Sequence, residues 1–178
     1  MSIPFKTIAF PTDLTSIDPG VVASIRSLLH EGISEFHVFH VLSVFEEIPM
    51  GYPIPAEYYR EIDLAAAREV KKIADLFSGE KANVTAGVYR GRPDQTILEV
   101  SSARGADAIL LLSHGKGLLG RILLGSTSTS VLHHSPIPVI LLKPDPVNRE
   151  LSQHFNPTDP PANLYDSLIS SGEAGPKS

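Results

Sequence analysis

The chain has 178 residues, 15 Lys and Arg against 20 Asp and Glu, a formal net charge of -5 and a mean hydropathy of +0.05. That length suits one compact domain with a short remainder, and a hydrophobic fraction of 42% excludes wholesale disorder. The absence of cysteine removes disulfides, thiolate metal sites and cysteine nucleophiles, no Lys/Arg run offers a nucleic-acid surface, and no apolar run is long enough to cross a bilayer.

The N-terminus enters a strand-like run without a basic stretch leading into an apolar signal segment, so the sequence reads as that of a cytoplasmic protein. Residues 5–11 (FKTIAFP) read as a buried strand. Asp18 and Pro19 then supply an N-cap and the residue preferred at the first helical position. Val21, Val22, Ile25, Leu28 and Leu29 recur at helical spacing, and Gly32 is placed to close that helix in a left-handed conformation. Residues 36–44 form the second strand. A Pro-rich stretch over 48–55 leads into a long helix over 56–77, with Ile62, Ala66, Val70, Ile73 and Phe77 on one face and Gly79 beyond its end.

Residues 83–89 read as a third strand, 92–104 as a third helix, and 107–112 as a fourth strand so apolar that both its faces must be buried. A helix over 126–134 and a fifth strand over 138–143 complete the order βαβαβαβαβ. Such alternation predicts an α/β fold: an open, doubly wound, five-stranded parallel sheet in the order 3-2-1-4-5, with helices on both faces. In these sheets ligands bind beyond the carboxyl ends of the strands, where the strand order reverses. If the first and fourth strands are neighbours, the turns after Pro11 and Leu112 converge on one crevice. Composition changes in residues 145–178, which hold five prolines and a net charge of -3. The domain is therefore expected to end at 144, followed by a tail that is flexible or docks on a protein partner, with Leu164, Tyr165, Leu168 and Ile169 forming a short amphipathic turn.

The most informative stretch is 113–126 (SHGKGLLGRILLGS), which links the buried fourth strand to a hydroxyl-rich helix. Glycines at 115, 117, 120 and 125 let the backbone approach a ligand closely. Ser126 is expected to cap the helix, whose first amides and positive dipole end suit a phosphate. Two familiar motifs fail here. Gly115 to Gly120 matches G-x-G-x-x-G, but the following strand ends in Lys143-Pro144 where a ribose-holding acid belongs, and the spacing over Gly120 to Thr127 puts Ser126 where a P-loop needs lysine. A phosphorelay receiver is discarded too, because Tyr89-Arg90-Gly91 stands where the third strand should end in an acid.

Gly115, nine intervening residues and Gly125-Ser126 fit the signature G-x2-G-x9-G-[ST], and with Pro11-Thr12-Asp13, His40-Val41, the GxPxxxIL helix opening over 91–98 and the closing SPIPV over 135–139, the chain resembles the universal stress protein family over about residues 3–144. The resemblance implies binding of an adenine nucleotide, AMP or ATP, with Mg2+ for a triphosphate. It places Asp13 on the ribose, the main chain of Val41 against adenine, and Gly115, Gly125 and Ser126 around the phosphates. Pro11, Thr12, Leu112 and Thr127 complete the implied site. Leu112 departs from the family, putting a branched side chain at the signature's first glycine and favouring AMP over ATP.

The resemblance also implies a homodimer through strand 138–143, an edge whose apolar character already invites pairing with a second copy. The stretch over 46–56 leaves the second strand at the same edge as the crevice, so Met50 and Tyr52 are candidate covers for adenine. His114 lies beside the loop but has no orienting carboxylate, and no catalytic residue is assigned. His133 and His134 read as structural groups at a helix C-terminus, and the hydroxyl run over 126–130 as an exposed helix start. The chain is thus read as a nucleotide-binding stress or signalling module with no direct membrane insertion. A nucleotide-free interaction protein and a weak ATPase or phosphotransferase are the alternatives.

Overall fold

A computed structural model describes residues 5–43, 56–113 and 124–143. Its elements are β1 (Thr7–Pro11), α1 (Pro19–His30), β2 (Glu35–Ser43), α2 (Ala56–Asp75), β3 (Asn83–Gly91), α3 (Pro93–Ala103), β4 (Ala108–Leu112), α4 (Ser126–His134) and β5 (Val139–Leu142). All four strand pairings are parallel, and the order is β3-β2-β1-β4-β5. β1 therefore lies between β2 and β4, and the strand order reverses beside it.

The strand period of two divides the core between the faces. Ile8, Phe10, Phe36, Val38 and Leu110 meet Val21, Ile25 and Leu29 of α1 and Val70, Ile73 and Ala74 of α2, with Phe77 just beyond it. Phe10 and Phe36 stack at 5.6 Å between centroids, and Phe77 meets Phe36 edge-on at 5.3 Å. On the opposite face Ala9, Phe39, Val41, Ile109 and Leu111 pack against Ile97 and Val100 of α3 and Val131 of α4. Residues 108–111 of β4 are buried, as a central strand covered on both faces requires.

Local chemistry sets the boundaries. The Asp18 carboxylate accepts from the N–H groups of Gly20 and Val21 at 2.8 and 3.4 Å, with Pro19 behind it, so α1 starts where expected. Gly32 and Gly79 take φ of +104° and +91° just beyond α1 and α2. β1 begins at Thr7 rather than residue 5, because the N–H groups of Lys6 and Thr7 donate to the Asp107 carboxylate at 2.7 and 2.8 Å instead of to a neighbouring strand. β3 runs on to Gly91 because its register with β2 holds through Ser43.

Candidate functional site

β1 and β4 run parallel and adjacent, so Pro11 and Leu112 leave the sheet at the same edge. α4 must run back across the sheet to begin β5 in parallel, which brings Gly125, Ser126 and Thr127 to that edge as well. Val41 lies near the carboxyl end of β2, where β2 pairs with β1 through Pro11 and Phe39. Pro11, Thr12, Asp13, Val41, Leu112, Gly125, Ser126 and Thr127 thus share one rim of the sheet. The expectations resting on Gly115, His114, Met50, Tyr52 and residues 145–178 fall outside the described residues.

The turn after β1 is tied to β2 and to itself. Thr12 donates its N–H to the Phe39 carbonyl at 2.8 Å. His40 Nδ1 lies 2.7 Å from the Thr12 carbonyl oxygen, and since a carbonyl only accepts, that nitrogen carries the proton. The Asp13 oxygen Oδ1 accepts from both the N–H and the hydroxyl of Thr15, at 3.1 and 2.7 Å. Asp13 is exposed, Val41 is buried on the α3–α4 face, and Leu112 is half-buried against the opposite core, the one beneath α1.

The start of α4 corrects one expectation. Gly125, not Ser126, is the N-cap, with φ -62° and ψ 162°, and among the described residues there is no side-chain cap bond to the first turn. Ser126 is the first helical residue, so its hydroxyl does not cap. A glycine cap itself contributes no side-chain acceptor to the helix's first N–H groups at the shared rim. Further along α4, the Ser130 hydroxyl donates to Asp94 at 3.0 Å, tying α4 to α3. That bond, foremost, holds the Asp94 carboxyl below its ordinary range. His134 donates from Nδ1 to the Ser130 carbonyl at 2.8 Å, a structural role as expected.

Three features escaped the sequence reading. Leu14 adopts φ +64° immediately after Asp13. Arg90 at the carboxyl end of β3 pairs with Asp63 at 2.7 Å and lies 5.3 Å from the centre of the Tyr59 ring. His37 is buried between Thr85, 2.8 Å from Nδ1, and Tyr89, 3.0 Å from Nε2, and stacks on Phe39. Arg104 donates to the Tyr89 oxygen at 3.3 Å. Every polar atom is then served if Tyr89 donates to His37 Nε2 and His37 Nδ1–H donates to Thr85. Burial, reinforced by the Arg104 charge, pushes the imidazole down to about 4. His37 points to the α3–α4 side from near the amino-terminal start of β2 and is buried inside the sheet rather than at the rim.

Among known proteins, the model of the universal stress protein family matches residues 4–143. The chain is 30% identical over 138 residues to the universal stress protein in the QAH/OAS sulfhydrylase 3′ region of Thermus aquaticus, covering 75% of this chain and 99% of that protein. The solved structure of MJ0577 from Methanocaldococcus jannaschii matches with a TM-score of 0.62 and 23% identity, over 79% of this chain and 97% of that one. A universal stress protein solved in complex with cAMP matches with a TM-score of 0.54 and 14% identity, over 78% and 97% of the two chains.

Proposed function

Because this chain belongs to the universal stress protein family, we propose that it is an adenine-nucleotide-binding module of stress response or signalling, in which the ligand seated at the carboxyl rim of the sheet changes contacts with a partner. The observation that carries this reading is the adjacency of β1 and β4, which draws the Asp13 turn and the glycine-capped start of α4 to one rim. In this reading the Asp13 carboxylate accepts from the ribose as charge-assisted hydrogen bonds. The Val41 main chain meets adenine above the floor made by Pro11 and Thr12. The main chain around Gly115, Gly125, Ser126 and Thr127 surrounds the phosphate, where a helix start favours negative charge. The cAMP complex of a protein with the same fold supports an adenylate as ligand class.

Leu112 adds bulk beside the phosphate path, so AMP is the preferred ligand and a triphosphate, with Mg2+, the weaker one. Turnover forms no part of the reading. In this reading the module works as a cytoplasmic homodimer joined through strand 138–143, with Met50 and Tyr52 proposed as covers for adenine and residues 145–178 as the contact with the partner.

Calorimetric titration with AMP, ADP, ATP and cyclic AMP tests the reading. AMP is expected to bind most tightly, and Asp13→Ala to lose about 1.5–3 kcal/mol, the range for a hydrogen bond to a charged group. Leu112→Gly is expected to raise ATP affinity towards that of AMP. Silence towards all four nucleotides would leave the nucleotide-free interaction protein as the better account. Sustained phosphate release abolished by Gly125→Val would establish the enzymatic one.

A further inference from the structure

The backbone after Asp13 takes a shape that its residues do not favour. Leu14 at φ +64° is the one non-glycine residue among those described that lies in the left-handed region, where Cβ crowds the backbone. Two arrangements hold it there. Its side chain packs against the core beneath α1, and its N–H donates to the Thr12 hydroxyl at 3.2 Å. The left-handed step folds the chain back, so that Thr15 reaches Asp13 with both of its donors, at 3.1 Å from nitrogen and 2.7 Å from the hydroxyl, on the same oxygen. A carboxylate oxygen has about two acceptor directions. Thr15 therefore fills one side of the Asp13 carboxylate and fixes its rotation about the terminal torsion, which in a free aspartate is broad and two-fold.

We infer that Thr15 is the positioning residue for ribose selectivity: it holds the Asp13 carboxylate in one orientation towards the vicinal hydroxyls of the sugar, and so sets the preference for ribonucleotides over 2′-deoxyribonucleotides. The inference rests on the reading of this rim as a nucleotide site. An acceptor already locked in place loses no freedom when the ligand arrives, and a diol gains more from a fixed carboxylate than a single hydroxyl does. Thr15 itself is exposed, and its bonds are local to the turn. Changing it leaves the core intact.

The experiment titrates the full chain, as wild type, Thr15→Val and Thr15→Ser, with AMP and with 2′-deoxy-AMP, and follows the thermal midpoint of each variant. The wild type is expected to prefer AMP. Thr15→Val, which keeps the size and the N–H but lacks the hydroxyl, is expected to lose about three- to ten-fold in AMP affinity, the worth of a net hydrogen bond, while 2′-deoxy-AMP changes by less than about two-fold. Thr15→Ser restores the preference. Thr15→Val retaining the wild-type ratio, or weakening both nucleotides equally, would overturn the inference, as would a wild type that binds AMP without discriminating the sugars. A wild type that binds neither nucleotide would instead overturn the nucleotide reading itself, and this inference with it.

Discussion

His37 sits 3% exposed between Thr85 and Tyr89, and burial holds its ring neutral down to about pH 4 against an ordinary value of 6.5. Above pH 6.5 neither the folded nor the unfolded chain protonates it. Between 6.5 and about 4 the unfolded chain takes up a proton that the fold refuses, so stability declines through that window and levels off below it. The full loss is on the order of 3 kcal/mol at about 1.4 kcal/mol per unit. Urea midpoints at pH 7, 5.5 and 4.5 are expected to fall for wild type. In His37→Phe they start lower, because Thr85 and Tyr89 lose their partner, but stay flat across the window. The carboxyls of Asp94 and Asp107 act in a more acid range. Both are held below the ordinary aspartate value of 3.8, so the stability that they add is present above it and disappears as pH falls further. Gly91 provides a second test: at φ +154° its added Cβ would press into the Thr96 hydroxyl, and Gly91→Ala is expected to cost about 2–3 kcal/mol by thermal melting. The sequence reading passed over His37, though EFHVFHVLS carries the signal for it, since counting by two from Phe39 puts it on an inward face. The left-handed leucine was not, because no residue type announces it; packing and hydrogen bonds on either side impose it.

At the scale of elements, strands and helices followed from apolar periodicity with boundary shifts of a residue or two, and the shifts have local causes. Asp107 displaces the start of β1 because a side chain there does the work of a strand partner. Asp107→Ala would leave the Lys6 and Thr7 amides unserved and is expected to cost about 1–3 kcal/mol, measured by urea unfolding. The start of α4 was misread by one position because Gly125 and Ser126 are both acceptable caps by residue type, and only backbone angles separate them. That distinction gives a discriminating variant. A Cβ at Gly125 meets nothing within 4 Å among the described residues, and its φ of -62° suits any residue. Gly125→Asp is therefore expected to stabilise the ligand-free protein by a few tenths of a kcal/mol, the margin of a side-chain cap over a glycine one. If phosphate uses these amides, the same carboxylate repels it and nucleotide affinity drops. An unchanged affinity would mean that the helix start takes no part in binding.

For the whole molecule, the parallel order was legible because every strand-to-strand connection carries a helix, and only right-handed crossovers cover both faces of the sheet. The site was legible as residue types and as a rim, but not in its turn geometry. Ligand binding should register globally: a nucleotide present at about a hundred times its dissociation constant stabilises the fold by about 2.7 kcal/mol, and AMP is expected to raise the thermal midpoint more than ATP does. The sheet is fastened across its amino-terminal margin. At the amino-terminal ends of the strands, the Lys6 carbonyl accepts from Ser34 and Glu35 at 2.8 and 3.0 Å, Asn83 donates to Ser34 at 2.7 Å, Asp107 donates to Thr7 at 2.8 Å, and the Asp107 carboxylate reaches back to Lys6 and Thr7. This stitching joins four strands along the seam remote from the proposed ligand. Thermal breathing should then resemble a hand fan held at its rivet, with the spread greatest at the opposite margin. Deuterium uptake offers a direct view: amides of Lys6, Thr7 and Asn83 should stay protected long after those of the Asp13 turn have exchanged, and adenylate should slow the Asp13 turn through local contact as well as through the global stabilisation that all of them share.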